Sequence, residues 1–110
     1  MPGPHRWGKF RGRGRPPIPR FIHKIYDEIV YVPINPREIP AEIEVVEIYP
    51  DELEALRLVY VEGRTQEEAA LMMGISRGTL WRLLERGRRK MVRALTEGRA
   101  IGIVGSARKV

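Results

Sequence analysis

The sequence contains no cysteine and only two histidines, His5 and His23. Disulfides and thiolate metal sites are therefore excluded, and two histidines are too few for a histidine cluster. No apolar run approaches the roughly 18–20 residues that span a bilayer, and the N-terminus lacks the apolar core of a signal peptide. From these absences we expect a cytoplasmic protein with no metal and no other cofactor.

Basic residues outnumber acidic ones, with 20 Lys and Arg against 14 Asp and Glu, a net charge of +6 and a pI near 10.2. The charge is also segregated along the chain. Residues 1–24 hold seven cations and no acid, residues 25–56 hold nine acids and one cation, and residues 57–110 hold twelve cations and five acids. A strongly basic chain is typical of proteins with a polyanionic partner. The three blocks indicate a basic arm, an acidic scaffold and a basic binding region.

Residues 65–80, TQEEAALMMGISRGTL, are typical of two helices joined by a tight turn. Thr65 and Glu68 have the spacing of a capping box, in which each side chain satisfies one free backbone N–H at a helix start. Gly74 ends this first helix, and Ser76 is an N-cap candidate that opens a longer one. Such hairpins also occur in proteins that bind no nucleic acid, so the pattern alone leaves the function open.

The second helix of this hairpin has two different faces. One face carries apolar residues at offsets of three and four, and the other is rich in arginine. A helix about 10–12 Å wide with guanidinium groups along one side fits the DNA major groove, which is about 12 Å wide. The alternative is an arginine face that is only solvated. The residues predicted on the buried face are Leu80, Leu83, Leu84, Gly87, Met91 and Leu95.

Residues 1–20 are too rich in glycine, proline and arginine to pack a core, so we expect a disordered basic arm. Residues 13–16 read RGRP and resemble the core of an AT-hook, which inserts into the narrow minor groove of A·T-rich DNA. A narrow minor groove has an enhanced negative potential that attracts arginine. The alternative is an arm that is attracted only to phosphate, or that makes no contact. The residues predicted to enter the groove are Arg11, Arg13, Gly14, Arg15 and Pro16.

The remaining segments predict a mainly α fold with a small β element. Residues 29–32 favour a short strand, and a strand near 43–49 needs a partner, for which residues 100–104 are the natural candidate. A first core helix has Asp51 and Glu54 in capping-box spacing and Tyr60 on its buried side. We therefore expect helices at about 51–61, 66–73 and 77–97 in one three-helix helix-turn-helix domain that covers residues 21–110.

Residues 53–91 resemble region four of bacterial sigma factors and related helix-turn-helix proteins, in which TQEEAA is followed by GISRGT. With YVP at 31–33, IP at 39–40 and VEIYPDELEALRL at 46–58, the chain is similar to uncharacterised protein family 0251, a bacterial and archaeal group described only as predicted DNA-binding proteins. Residues 14–16 and 101–105 fit the same pattern. The resemblance implies a sigma-region-four-like DNA-binding domain. Many members carry N-terminal cysteines, which this chain lacks, so no metal or redox role carries over.

A helix-turn-helix meets base edges with the first turns of its second helix, and meets phosphates with the later turns and with the start of its first helix. The residues predicted to read bases are Ser76, Arg77, Gly78, Trp81 and Arg82. The residues predicted to contact phosphate are Arg64, Thr65, Gln66, Thr79, Arg86, Arg88, Arg89, Lys90 and Arg93.

Three of these residues have a second interpretation. Gly78 either lets the backbone approach DNA closely or is a plain glycine at a helix start. Thr79 either supports the cap of its helix or touches a phosphate. Trp81 packs on a sugar or a thymine methyl group, or it covers the edge of the core or a dimer partner.

We therefore predict a sequence-specific duplex-DNA-binding protein, a transcription regulator with recognition helix 77–90 in the major groove and the arm in the minor groove. The alternatives are an architectural, sequence-blind DNA-binding protein and a structured-RNA-binding factor. No enzyme activity is expected, because no nucleophile or carboxylate pair has a recognisable catalytic setting. One helix-turn-helix covers few base pairs, so we expect a homodimer or a partner such as RNA polymerase. We expect no membrane partner.

Overall fold

The computed structural model describes residues 21–34 and 43–105. The predicted basic arm, residues 1–20, lies outside the described residues. Three helices and a small sheet confirm the predicted mainly α fold with a small β element. In chain order the elements are β1 (Ile29–Tyr31), β2 (Val45–Ile48), α1 (Pro50–Leu56), a π-helical turn (Arg57–Val61) that continues α1, α2 (Gln66–Met73), α3 (Arg77–Glu97) and β3 (Ala100–Ile103).

The three strands form one sheet with β3 in the centre, in the order β1-β3-β2. The predicted pairing of the strand near 43–49 with residues 100–104 is confirmed, since β2 runs parallel to β3 with Val46 opposite Ile101. Parallel strands need a long crossover connection, and here the three helices provide it. On the other side, β1 is antiparallel to β3, with Ile29 opposite Ile103. The sheet thereby holds the N-terminal described segment against the end of α3.

Two groups of buried side chains form the core. The larger group lies between the helices and includes Leu58, Met73 and Leu84, while a smaller group at the sheet contains Tyr26, Ile48 and Ile103. Met91 packs against both groups and joins them. Gly87 is buried in α3, and a Cβ there would lie 2.8 Å from Leu56 Cδ1. Glycine at this position therefore allows α1 and α3 to approach closely.

Two residues predicted to be buried are exposed instead. Tyr60 is 58% exposed and Leu95 is 74% exposed. The π-helical turn, in which Glu62 N–H donates to Arg57 O, places more residues in one turn than a regular helix, so the inward position falls to Leu58. In α3 the inward position of the last turns belongs to Ala94, which is 1% exposed. Leu95 is the next residue along the helix, so its side chain is rotated by about 100° from that of Ala94 and is directed to solvent.

The predicted capping box of α1 is also displaced. The N-cap is Tyr49 rather than Asp51, because Pro50 occupies the first helical position, where its fixed φ and missing N–H are favourable. The carboxylate that reaches back belongs to Glu52, whose Oε1 accepts from Tyr49 N–H at 3.0 Å. Glu54 therefore has no capping role, and its side chain is fully buried.

Candidate nucleic-acid interface

The α2–α3 hairpin is held in shape by caps at both helix starts. Thr65 Oγ1 accepts from Glu68 N–H at 3.0 Å, and Glu68 Oε1 accepts from Thr65 N–H at 3.0 Å, as the capping box predicted. Ser76 Oγ accepts from Thr79 N–H at 3.0 Å and caps α3. Between the helices Gly74 adopts the left-handed conformation, with φ of 68°. The start of α3 is therefore fixed by local hydrogen bonds.

Phe21 packs its ring against the turn of this hairpin. Its backbone N–H donates to Met73 O at 3.1 Å, at the end of α2. A Cβ built on Gly74 would lie 2.9 Å from Phe21 Cε2, so the ring covers the glycine directly. Two features therefore favour glycine at position 74: its positive φ, and the Phe21 ring that lies against it.

Replacing Gly74 with alanine is expected to destabilise the fold more than the same change at Gly98. Both glycines have similar positive φ, but nothing lies within 4 Å of a Cβ at Gly98. Gly98→Ala should therefore cost only the left-handed backbone penalty, about 1–2 kcal/mol. Gly74→Ala should cost more than Gly98→Ala, because the methyl group must also displace the Phe21 ring, but the added cost should be small since that ring is 64% exposed. Urea unfolding of both variants measures the difference, and equal losses would show that the Phe21 ring yields without cost.

The five residues predicted to read bases lie together on the first turns of α3, and all are exposed. Arg77 and Arg82 make no side-chain hydrogen bond or ion pair within the described part of the chain. A Cβ on Gly78 would lie 4.0 Å from an Nη atom of Arg82, so that guanidinium lies over the glycine. Trp81 is 50% exposed. Two guanidinium groups without a hydrogen bond or ion pair in the described part of the chain therefore lie at the start of a capped helix.

The hydroxyl groups of Ser76 and Thr79 are engaged with each other. Ser76 Oγ donates to Thr79 Oγ1 at 3.0 Å while it accepts from the Thr79 backbone. Thr79 therefore supports the cap, which was one of its two predicted roles, and its own O–H remains a possible donor to an anion.

Glu85 holds two of the predicted phosphate residues on the later turns of α3. Its carboxylate accepts from Arg89 at 2.8 Å and from Arg88 at 3.3 Å, and these hydrogen bonds lower the pKa of Glu85, that from Arg89 most. Arg88 also donates to the Tyr60 hydroxyl at 2.7 Å. Arg88 therefore has two partners in the fold, whereas Arg89 is 74% exposed and pairs, among the residues that the structure describes, with Glu85 alone.

Arg86 and Arg93 also project from α3 with about half of their side chains exposed. Arg93 Nε lies 3.5 Å from Glu97 Oε1, and one Arg86 Nη lies 3.8 Å from Glu52. These are longer than direct hydrogen bonds, so both guanidinium groups keep most of their donors available.

Lys90 differs from the other predicted phosphate residues because it turns towards the fold. Its Nζ lies 2.9 and 3.1 Å from the two oxygens of Glu52, a residue with no exposed surface. The same ammonium lies 4.7 Å from the centre of the Tyr49 ring. The sequence did not reveal this pair, because no local pattern marks Glu52 as buried and it lies 38 positions from Lys90. Lys90 thus joins α3 to the start of α1.

The remaining predicted contacts lie at the positive end of α2 or outside the described residues. Arg64, Thr65 and Gln66 are all exposed where α2 begins. The predicted minor-groove residues Arg11, Arg13, Gly14, Arg15 and Pro16 belong to the arm, which the structure does not describe.

A second buried acid, Glu54, connects the N-terminal described segment to α1. Its carboxylate accepts from Tyr26 O–H at 2.8 Å, from His23 N–H at 2.9 Å and from two nitrogens of Arg57 at 2.9 and 3.0 Å. Burial raises the pKa of Glu54, but the hydrogen bonds from Arg57, Tyr26 and His23 outweigh burial, and the net pKa is lowered. Burial and then the neighbouring carboxylate raise the pKa of Tyr26.

Arg57 completes this network. The hydrogen bond to Glu54 raises its pKa, so its guanidinium stays charged. It also donates to Glu62 at 3.0 Å. The spacing of Glu54 and Arg57, three positions apart on one helix, is the only local signal of the network in the sequence. Tyr26 and His23 are 28 and 31 positions from Glu54 and could not be assigned to it in advance.

Within residues 21–34 and 43–105, no group of three His, Asp or Glu side chains is placed to hold a metal ion. None of the described helices combines the length and the apolar character needed to cross a bilayer.

Comparison with known proteins places the chain in a family. A family model described as protein of unknown function DUF134 matches residues 9–110. A UPF0251 protein from Methanosarcina acetivorans is 47% identical over 94 residues, which cover 84% of this chain and 81% of its own length. One from Pyrococcus furiosus is 43% identical over 105 residues, covering 96% and 93%. No solved structure matches. As its resemblance to uncharacterised protein family 0251 implied, the chain belongs to the DUF134 family, whose curated relatives carry the name UPF0251 protein.

Proposed function

We propose that this chain is a sequence-specific duplex-DNA-binding protein that regulates transcription. In this proposal residues 77–90 form the recognition helix of a helix-turn-helix and lie in the major groove, while the arm enters a minor groove. The observation that carries the proposal is the pair Arg77 and Arg82, exposed and without a partner in the described chain, on the first turns of a helix whose start is fixed by Ser76.

Unpartnered guanidinium groups in this position suit base recognition. Arginine binds the O6 and N7 of guanine with two parallel hydrogen bonds, which contributes about 1–3 kcal/mol of discrimination against another base. A guanidinium already held by a carboxylate would first have to break that bond, whereas Arg77 and Arg82 have no such bond within the described residues. Gly78 adds no side chain between the helix backbone and the groove.

The residues that suit phosphate contacts are the exposed arginines that lie further along α3. Arg89 and Arg93 supply positive charge with only exposed or half-exposed acidic neighbours, and Arg86 lies 3.8 Å from the buried Glu52, which is too long for a direct hydrogen bond. Arg64 adds charge at the start of α2, where the helix dipole also attracts anions. Lys90 is left out of this set because of its ion pair with Glu52.

Replacing Arg82 is expected to reduce the sequence preference of DNA binding, whereas replacing Arg89 is expected to reduce the affinity for all sequences. Arg82→Ala removes a base contact and should relax the sequence preference at one position, at a cost of about 1–3 kcal/mol for the best site. Arg89→Ala removes a phosphate contact and should weaken binding to all sequences alike. Selection from random duplex DNA, followed by affinity measurements on the selected and scrambled sites, measures both effects. An equal loss of specificity in the two variants would refute the assignment.

Arg82→Lys is the matched control for charge. Lysine keeps the positive charge but lacks the planar fork of arginine, so overall affinity should fall less than in Arg82→Ala while discrimination at that position still falls. Neither change should alter stability, because Arg82 makes no bond within the described chain. Thermal unfolding of both variants checks this.

Two other functions would give distinct results in the same assay. A sequence-blind architectural protein would yield no motif once residues 1–20 were deleted, whereas the proposed regulator keeps its preference. A structured-RNA-binding factor would be displaced better by RNA than by duplex DNA, although the deep, narrow RNA major groove does not admit a helix.

The proposal extends to the partners and location of the protein. One hairpin reads few base pairs, so we propose that the protein acts as a homodimer on two half-sites or together with RNA polymerase. Because its ligand is chromosomal DNA, we place it in the cytoplasm. We propose no enzymatic activity and no membrane partner.

A further inference from the structure

α3 has a third face in addition to its buried face and its basic face. Six positions lie along this face at alternating intervals of three and four residues, which is the spacing that meets a partner helix in a coiled coil. At 3.6 residues per turn, the row lies about 100° round the helix from the face of Arg82, Arg89 and Arg93. Its three large apolar side chains are half or more exposed. We call this row the stripe, and its members are Gly78, Trp81, Glu85, Arg88, Val92 and Leu95.

The two charged residues of the stripe bond to each other within one chain. Arg88 donates to Glu85 at 3.3 Å, and it also donates to the Tyr60 hydroxyl beside the stripe. The middle of the stripe therefore presents one positive and one negative charge. A carboxylate at this position would repel DNA phosphate, whereas a protein surface that carries the same two charges in the reverse order would match it.

A second copy of α3 that runs antiparallel to the first presents these charges in the reverse order. When the two helices cross between positions 86 and 87, Glu85 of each copy lies opposite Arg88 of the other. In the same register Trp81 of each copy lies opposite Val92 of the other, so apolar side chains meet apolar side chains on both sides of the charged centre. The stripe is therefore complementary to itself.

Other arrangements of two copies lack this complementarity. A parallel pair would set Glu85 against Glu85 and Arg88 against Arg88, and like charges in contact are unfavourable. Shifting the antiparallel pair by seven residues would set Glu85 against Leu95 in one direction and against Trp81 in the other. The positions of the charges therefore select one orientation and one register.

We infer that the stripe is the surface through which two copies of this chain form an antiparallel dimer in the absence of DNA. In the selected register Leu95 lies opposite Gly78, which has no side chain to obstruct it. The contact extends over about 26 Å of helix but is only one helix wide, so it belongs to the small interfaces of weak, reversible complexes.

The consequence of this dimer for DNA binding rests on the proposed function. Helices pack with their axes about 8–10 Å apart, so the pair is roughly 20 Å across. The DNA major groove is about 12 Å wide and does not admit both helices. The dimer therefore withholds the recognition helix from DNA, and the dimer and the groove-bound form are alternatives. This favours a single copy that acts with another protein on DNA over a homodimer on two half-sites.

Exchanging the stripe charges tests the dimer directly. Glu85→Arg or Arg88→Glu sets like charges opposite each other twice in the dimer, and each should weaken self-association at least about tenfold. An equimolar mixture of the two variants sets opposite charges together again and should restore a dimer with one copy of each. Sedimentation equilibrium of the full chain at about 1 µM to 1 mM measures these changes in the range expected for a weak dimer.

Val92→Glu and Leu71→Glu form a matched pair that does not depend on the central charges. Both replace an exposed apolar side chain, but Leu71 lies on α2, outside the stripe. Val92→Glu should therefore weaken the dimer, and Leu71→Glu should leave it unchanged. Thermal unfolding checks that all four variants are folded. A wild-type chain that stays monomeric, equal effects of these two changes, or a mixture of charge variants that forms no dimer would overturn the inference.

DNA titrations separate this inference from the proposed function. At concentrations where the wild type is dimeric, Val92→Glu should bind a selected duplex more tightly than the wild type, because no dimer has to dissociate first. A wild-type dimer that binds DNA as tightly as Val92→Glu would overturn the withholding of the recognition helix. Failure of both proteins to bind any duplex would overturn the proposed function and leave the dimer intact.

Discussion

Replacing Glu54 with alanine is expected to lower the free energy of unfolding by about 3 kcal/mol. Removing one partner of a buried ion pair usually costs about 3–5 kcal/mol, because the other charge is left without compensation. The lower end applies here because Arg57 keeps Glu62 as a second acceptor at 3.0 Å. The Tyr26 hydroxyl and His23 N–H would lose their acceptor as well. In a domain of this size the unfolding midpoint should fall by roughly 12–24 °C, measured by thermal denaturation.

Glu62→Ala provides the matched control. It removes the other carboxylate bound by the same guanidinium, but Glu62 has 45% of its side chain exposed. Exposed ion pairs contribute about 0–1 kcal/mol, so this change should be nearly neutral. Similar losses from both variants would mean that Glu54 does not hold His23 and Tyr26 against α1 in the way its four hydrogen bonds indicate.

The Glu54 network also predicts that the stability of the fold decreases at acidic pH. The folded-state pKa of Glu54 is lower than its ordinary value of 4.5, so the folded state favours the charged carboxylate. This stabilisation is complete above pH 4.5 and is lost as the pH falls through the folded-state pKa. Glu54→Gln, which has no charge to lose, should therefore show a weaker pH dependence below pH 4.5 than the wild type. Urea unfolding between pH 3 and 7 compares the two.

Local chemistry explains which parts of the fold could be predicted. The capping box of Thr65 and Glu68, the left-handed glycine at Gly74 and the N-cap at Ser76 depend on residues within three or four positions of each other. Their spacing alone predicted the helical hairpin. The pairing of β2 with β3 was predictable for a different reason, since a lone strand is unstable and residues 100–104 were the natural candidate for its partner.

Long-range contacts explain what could not be predicted. Glu52 and Glu54 would ordinarily be assigned to the solvent, yet Lys90 and Tyr26, both distant in sequence, allow them to be buried. The π-helical turn has no clear sequence signal, and it moved Tyr60 outwards. The ion pair of Lys90 with Glu52 could not be predicted for the same reason. Helical spacing placed Lys90 with the arginines, and only the position of Glu52 separates it from them.

Salt should weaken DNA binding by roughly a thousandfold between 50 and 200 mM. Each phosphate neutralised by a cation contributes about −0.9 to the slope of log K against log salt, and we expect on the order of six such contacts. Arg64→Ala should make this slope less steep by about 1, because its side chain is exposed at the start of α2. Fluorescence anisotropy titrations at several salt concentrations measure the slope.

Lys90→Ala distinguishes the effect of total charge on DNA binding from the effect of the charges that face the DNA. It removes the same unit charge as Arg64→Ala, but the Lys90 ammonium is bound to both oxygens of Glu52. The variant should therefore leave the salt slope unchanged and instead lower stability, because Glu52 remains buried with one cation fewer. A slope reduced equally by both changes would show that net charge governs binding. The exposed arginines of α3 would then have no special role, and the proposed orientation of the recognition helix would lose its electrostatic support.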